Sequence, residues 1–205
     1  FIHFILMDIY YTILQTGSAR YTEKMSRFLA FALPVSSADE AKAIVKQYQN
    51  EYHDARHVCW AYMIGPDRKE WQLNDNGEPS GTAGKPILGQ INSLELTNLI
   101  VIVVRYFGGI KLGTSGLIAA YREAARLALE DAGKLECRQM CRIKVEFSYE
   151  TADQVMKIIK ANTEIMVLEK SFDNMCGIIA EFPLDLQEQI TGRLSKIEGA
   201  MITLL

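Results

Sequence analysis

The order of apolar and polar positions divides the chain into short strand-like segments and longer helical ones. Ser26–Ala32 is rich in apolar residues and runs into Pro34, which predicts a strand. Ser37 and Glu40 have the spacing of a capping box. Ala41, Ile44, Val45 and Tyr48 follow on one helical face, so a helix is expected from there to about Tyr52. Val58–Ile64 is expected to be a strand, with His57, Cys59 and Ala61 on one face and Val58, Trp60 and Tyr62 on the other. Gly65-Pro66-Asp67 has turn chemistry, and a loop over Asn74–Pro86 leads into a short helix ending at Asn92. Leu99–Val104 is an unbroken run of Leu, Ile and Val, which suits a strand buried on both faces with a helix over at least one of them. A long helix follows to Ala132, with Leu117, Tyr121, Ala124 and Ala128 on one side and Gly133 as its stop.

Beyond Lys134 the pattern becomes a second series. It has a strand at Arg138–Ser148, a helix opened by Thr151 and Gln154 and lined by Val155, Ile158 and Ile159, strands at Glu164–Ser171 and Gly177–Phe182, a helix through Ile190 and Leu194, and a last strand at Ala200–Leu204. This β-α-β-β-α-β order is the split βαβ, or ferredoxin-like, arrangement. The expected organisation is α+β, with one domain over 7–134 and a second over 135–205.

Eight of the 14 glycines lie between 77 and 116, which concentrates the unusual backbone in two loops, Gly77–Gly89 and Gly108–Gly116. The second ends Gly113-Thr114-Ser115-Gly116 directly before a helix, where free N–H groups and the helix dipole favour an anion. Arg105 and Lys111 flank it as cations. Gly81-Thr82-Ala83-Gly84-Lys85 repeats the arrangement before the short helix. The alternative is that these glycines only make tight turns and that Thr114 or Ser115 caps its helix. A P-loop is excluded, because Thr114 stands where that motif needs Lys. Asp75 and Glu78 have the chemistry of an acid and a base, or of loop and capping carboxylates. His53, His57 and Cys59 are of types that bind zinc, but a fourth ligand is missing, so no metal site is expected. Cys59 with His57 lacks an oxyanion hole, which argues against a thiol nucleophile.

Composition narrows the classes further. Apolar residues at 49% and charged residues at 23% exclude a disordered chain. Lys and Arg balance Asp and Glu at 14 each over 1–134, and 8 face 11 over 135–205, giving the formal charge of −3. Neither part is a polycation, so any contact with nucleic acid must be a local basic patch. Four cysteines without C-x-x-C spacing suit reduced thiols in the cytoplasm. The apolar residues 1–6 are far shorter than the ~18–20 needed to span a membrane and have no basic flank, so they are read as an extension ahead of Met7.

Three stretches, Asp54–Ala61, Asn74–Pro86 and Val103–Gly116, resemble the IMPACT family, particularly its bacterial members, and the likeness runs from about Tyr10 through nearly the whole chain. The family often has two histidines at His57-Val58, two aspartates at Asp75-Asn76 and Gly-Thr-Gly-Gly at Gly113–Gly116. The first two departures remove a candidate ligand and a candidate acid. The resemblance implies an N-terminal α/β sandwich like the second domain of ribosomal protein S-five and a ferredoxin-like domain like the last domain of elongation factor G. It marks Asp54, His57, Asp75, Glu78, Gly81, Thr82 and Gly84 as motif positions. Eukaryotic members regulate translation under amino-acid stress. The expected function is therefore non-enzymatic binding of RNA or the ribosome through Lys85, Arg105, Gly108, Gly109, Lys111, Gly113, Thr114, Ser115 and Gly116, with Arg122 as an additional cation, no cofactor and no membrane. A small-molecule enzyme or a protein holding a phosphate-bearing ligand is the alternative, with Glu78 or Asp75 as base. A third is a protein-interaction module using the C-terminal sheet.

Overall fold

A computed structural model describes residues 8–172 and 174–205. The stretch 1–6 and the start expected at Met7 lie outside them. The elements are β1 (Ile9–Ile13), β2 (Gly17–Glu23), β3 (Ser26–Pro34), α1 (Ala38–Glu51), β4 (His57–Ile64), β5 (Glu70–Asn74), α2 (Gly84–Ser93), β6 (Leu99–Tyr106), α3 (Gly113–Ala132), β7 (Lys134–Arg138), β8 (Met140–Phe147), α4 (Ala152–Lys160), β9 (Met166–Phe172), β10 (Cys176–Pro183), α5 (Gln187–Leu194) and β11 (Met201–Leu204). The chain is α+β. It divides into two compact units, Tyr10–Cys137 and Arg138–Leu205, the latter including Asp8 and Ile9.

In the first unit the alternation of side chains decides the layers. The sheet has the order β2-β3-β6-β4-β5 and is antiparallel throughout. Phe28 and Ala30 of β3, Cys59 and Ala61 of β4, and Val101 and Val103 of β6 face α2 and α3. The alternate residues Trp60, Tyr62, Ile102 and Val104 face α1. Every residue from Leu99 to Val104 is fully buried, so β6 has no polar side chain on either face before Arg105. Sheets covered on both sides are more often parallel. Here the strands that flank β6, β3 and β4, both run antiparallel to it, and helices still cover both faces. A separate pair of strands, β1 and β7, completes the strand set.

Local signals were sound at α1 and at the end of α3. Ser37 Oγ accepts the Glu40 N–H at 3.2 Å, and the Glu40 carboxylate accepts the N–H of Ser36 at 2.7 Å. Gly133, at φ 68°, donates to the carbonyls of Leu129 and Glu130 and ends α3. Thr151, by contrast, caps nothing. It closes a short 3₁₀ turn, and its hydroxyl donates to the Ser148 carbonyl at 3.2 Å.

In the second unit the sheet order is β11-β8-β10-β9, and the chain order β8-α4-β9-β10-α5-β11 is the split βαβ. Its core joins Ile143, Val145, Ile178 and Phe182 to Val155 and Ile190 of the helices. The strand expected over Arg138–Ser148 is β8, Met140–Phe147, and Arg138 ends the separate strand β7. The break falls at Gln139, whose N–H goes to the Asp8 carbonyl and whose carbonyl takes the Leu184 N–H. With both groups engaged elsewhere, Gln139 cannot continue a ladder. Among the described residues no helix is long and apolar enough to cross a membrane.

Candidate functional site

Register places His57 opposite Arg105 on β6, and Phe28 of β3 opposite Arg105 on the other side. Arg105 is in phase with Leu99, Val101 and Val103, so its side chain enters the face covered by α3 rather than solvent. A guanidinium there must find an anion. Its Nη1 donates to Glu78 Oε1 at 2.6 Å, and the Tyr121 hydroxyl donates to the same oxygen at 2.8 Å. The guanidinium also lies 5.6 Å from the ring centre of Phe28 and 5.7 Å from that of Phe107. Cys59 donates its thiol proton to the Asp75 carbonyl at 2.9 Å and lies 3.3 Å from the Tyr121 oxygen.

His57 extends this cluster toward the surface. Its Nδ1 is 2.8 Å from the Asn76 carbonyl, which can only accept, so Nδ1 carries a proton. Its Nε2 is 3.9 Å from Glu78 Oε1. Burial pushes the Tyr121 phenol and the Cys59 thiol well above their ordinary values, and Cys59 and Glu78 raise the phenol further. Both groups therefore stay protonated and act as donors. A buried, protonated Cys59 is not a nucleophile.

Asp75 decides the fate of the first glycine-rich loop. Its carboxylate accepts the N–H groups of Gly81 at 2.8 Å, Ala83 at 3.0 Å and Gly84 at 2.8 Å. Burial works to raise its pKa, but the three N–H groups and Lys85 outweigh it and hold the carboxyl below the usual carboxylate range. The start of α2 thus already holds an anion, and it is internal. Gly84 is tightly packed, since a Cβ there would lie 2.9 Å from Leu73 Cδ1 and 3.1 Å from the Asn74 nitrogen. Thr82 is buried, and its hydroxyl donates to the Pro79 carbonyl at 2.6 Å.

Among the described residues the second loop has no such internal anion. Leu112 precedes α3 without a side-chain cap, and Thr114 and Ser115 are exposed within the first turn rather than capping it. Lys111 is exposed and forms no ion pair among the described residues. Gly108 sits against the β2–β3 turn, where a Cβ would fall 2.0 Å from the Met25 carbonyl carbon, and its N–H donates to Ser26 Oγ at 3.2 Å. Gly109, at φ 89°, is exposed beside it.

The residues read from the sequence therefore fall into three places. Glu78, Arg105 and, at its edge, His57 form the buried cluster, to which Tyr121 and Cys59 belong. Asp75, Gly81, Thr82 and Gly84 form a self-satisfied loop. Lys85 and Arg122 stand on the two walls of an open groove of about 370 Å³ between α2 and α3, bordered by Gly81, Gly89, Gln90 and Ile118. Asp54 lies apart, accepting from the Tyr106 hydroxyl at 2.8 Å, and Tyr106 packs on the α1 side of the sheet. Among the described residues, no three His, Cys, Asp or Glu side chains are placed to share a metal ion.

The first unit is thus an antiparallel sheet layered between helices, with a loop carboxylate clamped to a strand arginine. Residues 24–129 match the model of the Impact N-terminal domain, and the chain belongs to the IMPACT family. The IMPACT family member YvyE of Bacillus subtilis is 37% identical over 138 residues, which are 67% of this chain and 63% of that protein. An IMPACT family member of Haemophilus influenzae is 32% identical over 181 residues, covering 83% of this chain and 87% of the relative. A crystal structure described as that of a hypothetical protein has a TM-score of 0.70 and 25% identity, over 97% of both chains.

Proposed function

We propose that this IMPACT family protein is a non-enzymatic, RNA-binding component of translation control that grips phosphates along the α2–α3 groove and at the start of α3. The observation that carries the reading is the distribution of charge. From Arg105 to Arg122 the chain has no carboxylate, and Lys111 and Arg122 are exposed on that stretch while Lys85 faces Arg122 across the groove. The uncapped first turn of α3 adds a dipolar anion site worth ~0.3–1 kcal/mol per exposed charge. Glu78 and Asp75, the carboxylates that a catalytic mechanism would use, are committed to Arg105 and to backbone N–H groups. That favours binding over chemistry.

With a net charge of −3 the attraction is local. Affinity for ribosomes or structured RNA should fall with salt, and Lys111→Ala and Arg122→Ala should each flatten the log–log salt slope by about one unit. Salt-independent binding, untouched by either substitution, would sink the reading. A phosphate-bearing small molecule is the second reading, favoured by a groove volume of about 370 Å³ that suits one. A nucleotide at 100 times its Kd would stabilise the fold by ~2.7 kcal/mol in a thermal-shift series.

A further inference from the structure

Phe107 stands where β6 leaves the sheet, and its ring is 47% exposed although the neighbouring rings of Phe28 and Tyr121 are fully buried. Its inner side rests on Arg105, 5.7 Å away. That arginine is itself fixed: it is 6% exposed and tied to Glu78 at 2.6 Å. The ring is thus held on a rigid cation with solvent on its other side. After it come Gly108 and Gly109, which put no side chain in the way of a flat ligand. Ile110 and Met25 are 49% and 70% exposed, and Met25 packs against Gly108 in the turn where Lys24 and Met25 hold φ values of 43° and 66°. Those are the φ values that a two-residue hairpin turn between β2 and β3 requires. Lys111 follows directly, and no carboxylate intervenes before Arg122.

We propose that Phe107 is a stacking platform for an unpaired RNA base, with Lys111 and the first turn of α3 taking the adjoining phosphate. This rests on the RNA-binding reading above and narrows it to single-stranded or looped RNA, because a paired base has no free face to offer. The acid-free stretch favours a polyanion over a protein partner, for which an apolar patch alone would serve. Stacking on an aromatic side chain tolerates any base.

The test uses the full chain and two labelled probes, a short single-stranded adenosine oligonucleotide and a blunt RNA duplex, with affinities read by fluorescence anisotropy. Phe107→Ala should weaken single-strand binding roughly 5- to 100-fold and leave duplex binding and the salt slope unchanged. Phe107→Trp should restore single-strand binding, and Phe107→Leu should not. Because the ring is half exposed, thermal melting should show all three variants folded. If Phe107→Ala or Phe107→Leu binds the single strand like the wild type while Lys111→Ala weakens it, RNA binding stands and stacking is overturned. Equal loss on both probes also overturns stacking and points to a generally disturbed surface. A wild-type protein that binds neither probe also overturns stacking, while the ribosome and structured-RNA titration decides the RNA-binding reading separately.

Discussion

Glu78→Ala is expected to destabilise the first unit by about 3–5 kcal/mol, because it strands a buried guanidinium. Arg105 is 6% exposed, and Glu78 is the carboxylate that its Nη1 meets, at 2.6 Å. The substitution also takes the acceptor from Tyr121, whose hydroxyl lies in the same closed layer. Against a total stability of roughly 5–15 kcal/mol that loss is large. Glu78→Gln keeps an oxygen for Tyr121 and should fall between the wild type and Ala. A different outcome is expected when both charges go. Glu78→Leu combined with Arg105→Met removes the desolvated pair altogether and should recover much of the loss. Urea unfolding of the wild type, Glu78→Leu, Arg105→Met and the double variant gives a coupling energy, and a value near zero would show that the two side chains do not depend on each other. The pair has a positional consequence as well. It ties the first glycine-rich loop to β6 and fixes the cation beneath Phe107, so the same variants should loosen the second loop.

The buried position of Arg105 was legible in the sequence, in the alternation that also buries Leu99, Val101 and Val103. The expectation of a surface cation came from its place at a strand end, and the period of two overrides that. Tyr121 was correctly placed on the inner face of α3 by its spacing from Leu117 and Ala124. Its partner Glu78, 43 residues away in sequence, could not be paired with it by any local signal. Asp75 was hidden for a similar reason. Its carboxylate serves N–H groups six to nine residues downstream, beyond the reach of the usual capping motif. The strands β4 and β6 and the helices α1 and α3 emerged because their apolar periods are strong. β5, with Trp71 exposed, and β2, with Arg20 and Thr22 alternating with half-buried residues, carry little apolar pattern and were not expected as strands. Packing against β3 and β4 makes them strands.

Asp75→Ala is expected to cost about 2–4 kcal/mol at neutral pH, since three backbone N–H groups at and before the start of α2 lose a charged acceptor. Asp75→Asn keeps one acceptor oxygen and should cost less. The pH dependence follows from the direction of the shift. The folded carboxyl is held below its ordinary value, so the unfolded chain binds the proton first as pH falls. Its contribution is therefore complete above the unfolded pKa, ~3.9 for an aspartate, and fades as pH falls through the lower folded value. Wild type and Asp75→Asn should differ most at neutral pH and converge below about pH 4 as the wild-type carboxyl protonates. Urea midpoints measured across that range check this, and a gap that stays constant with pH would mean that the carboxylate charge contributes nothing. Removing the charge also frees the start of α2 beside Lys85. The wild-type loop answers its own dipole with Asp75, whereas α3 leaves its first turn open next to Lys111. On the RNA-binding reading proposed above, that contrast between the two helix starts is what would direct an external phosphate to the second loop.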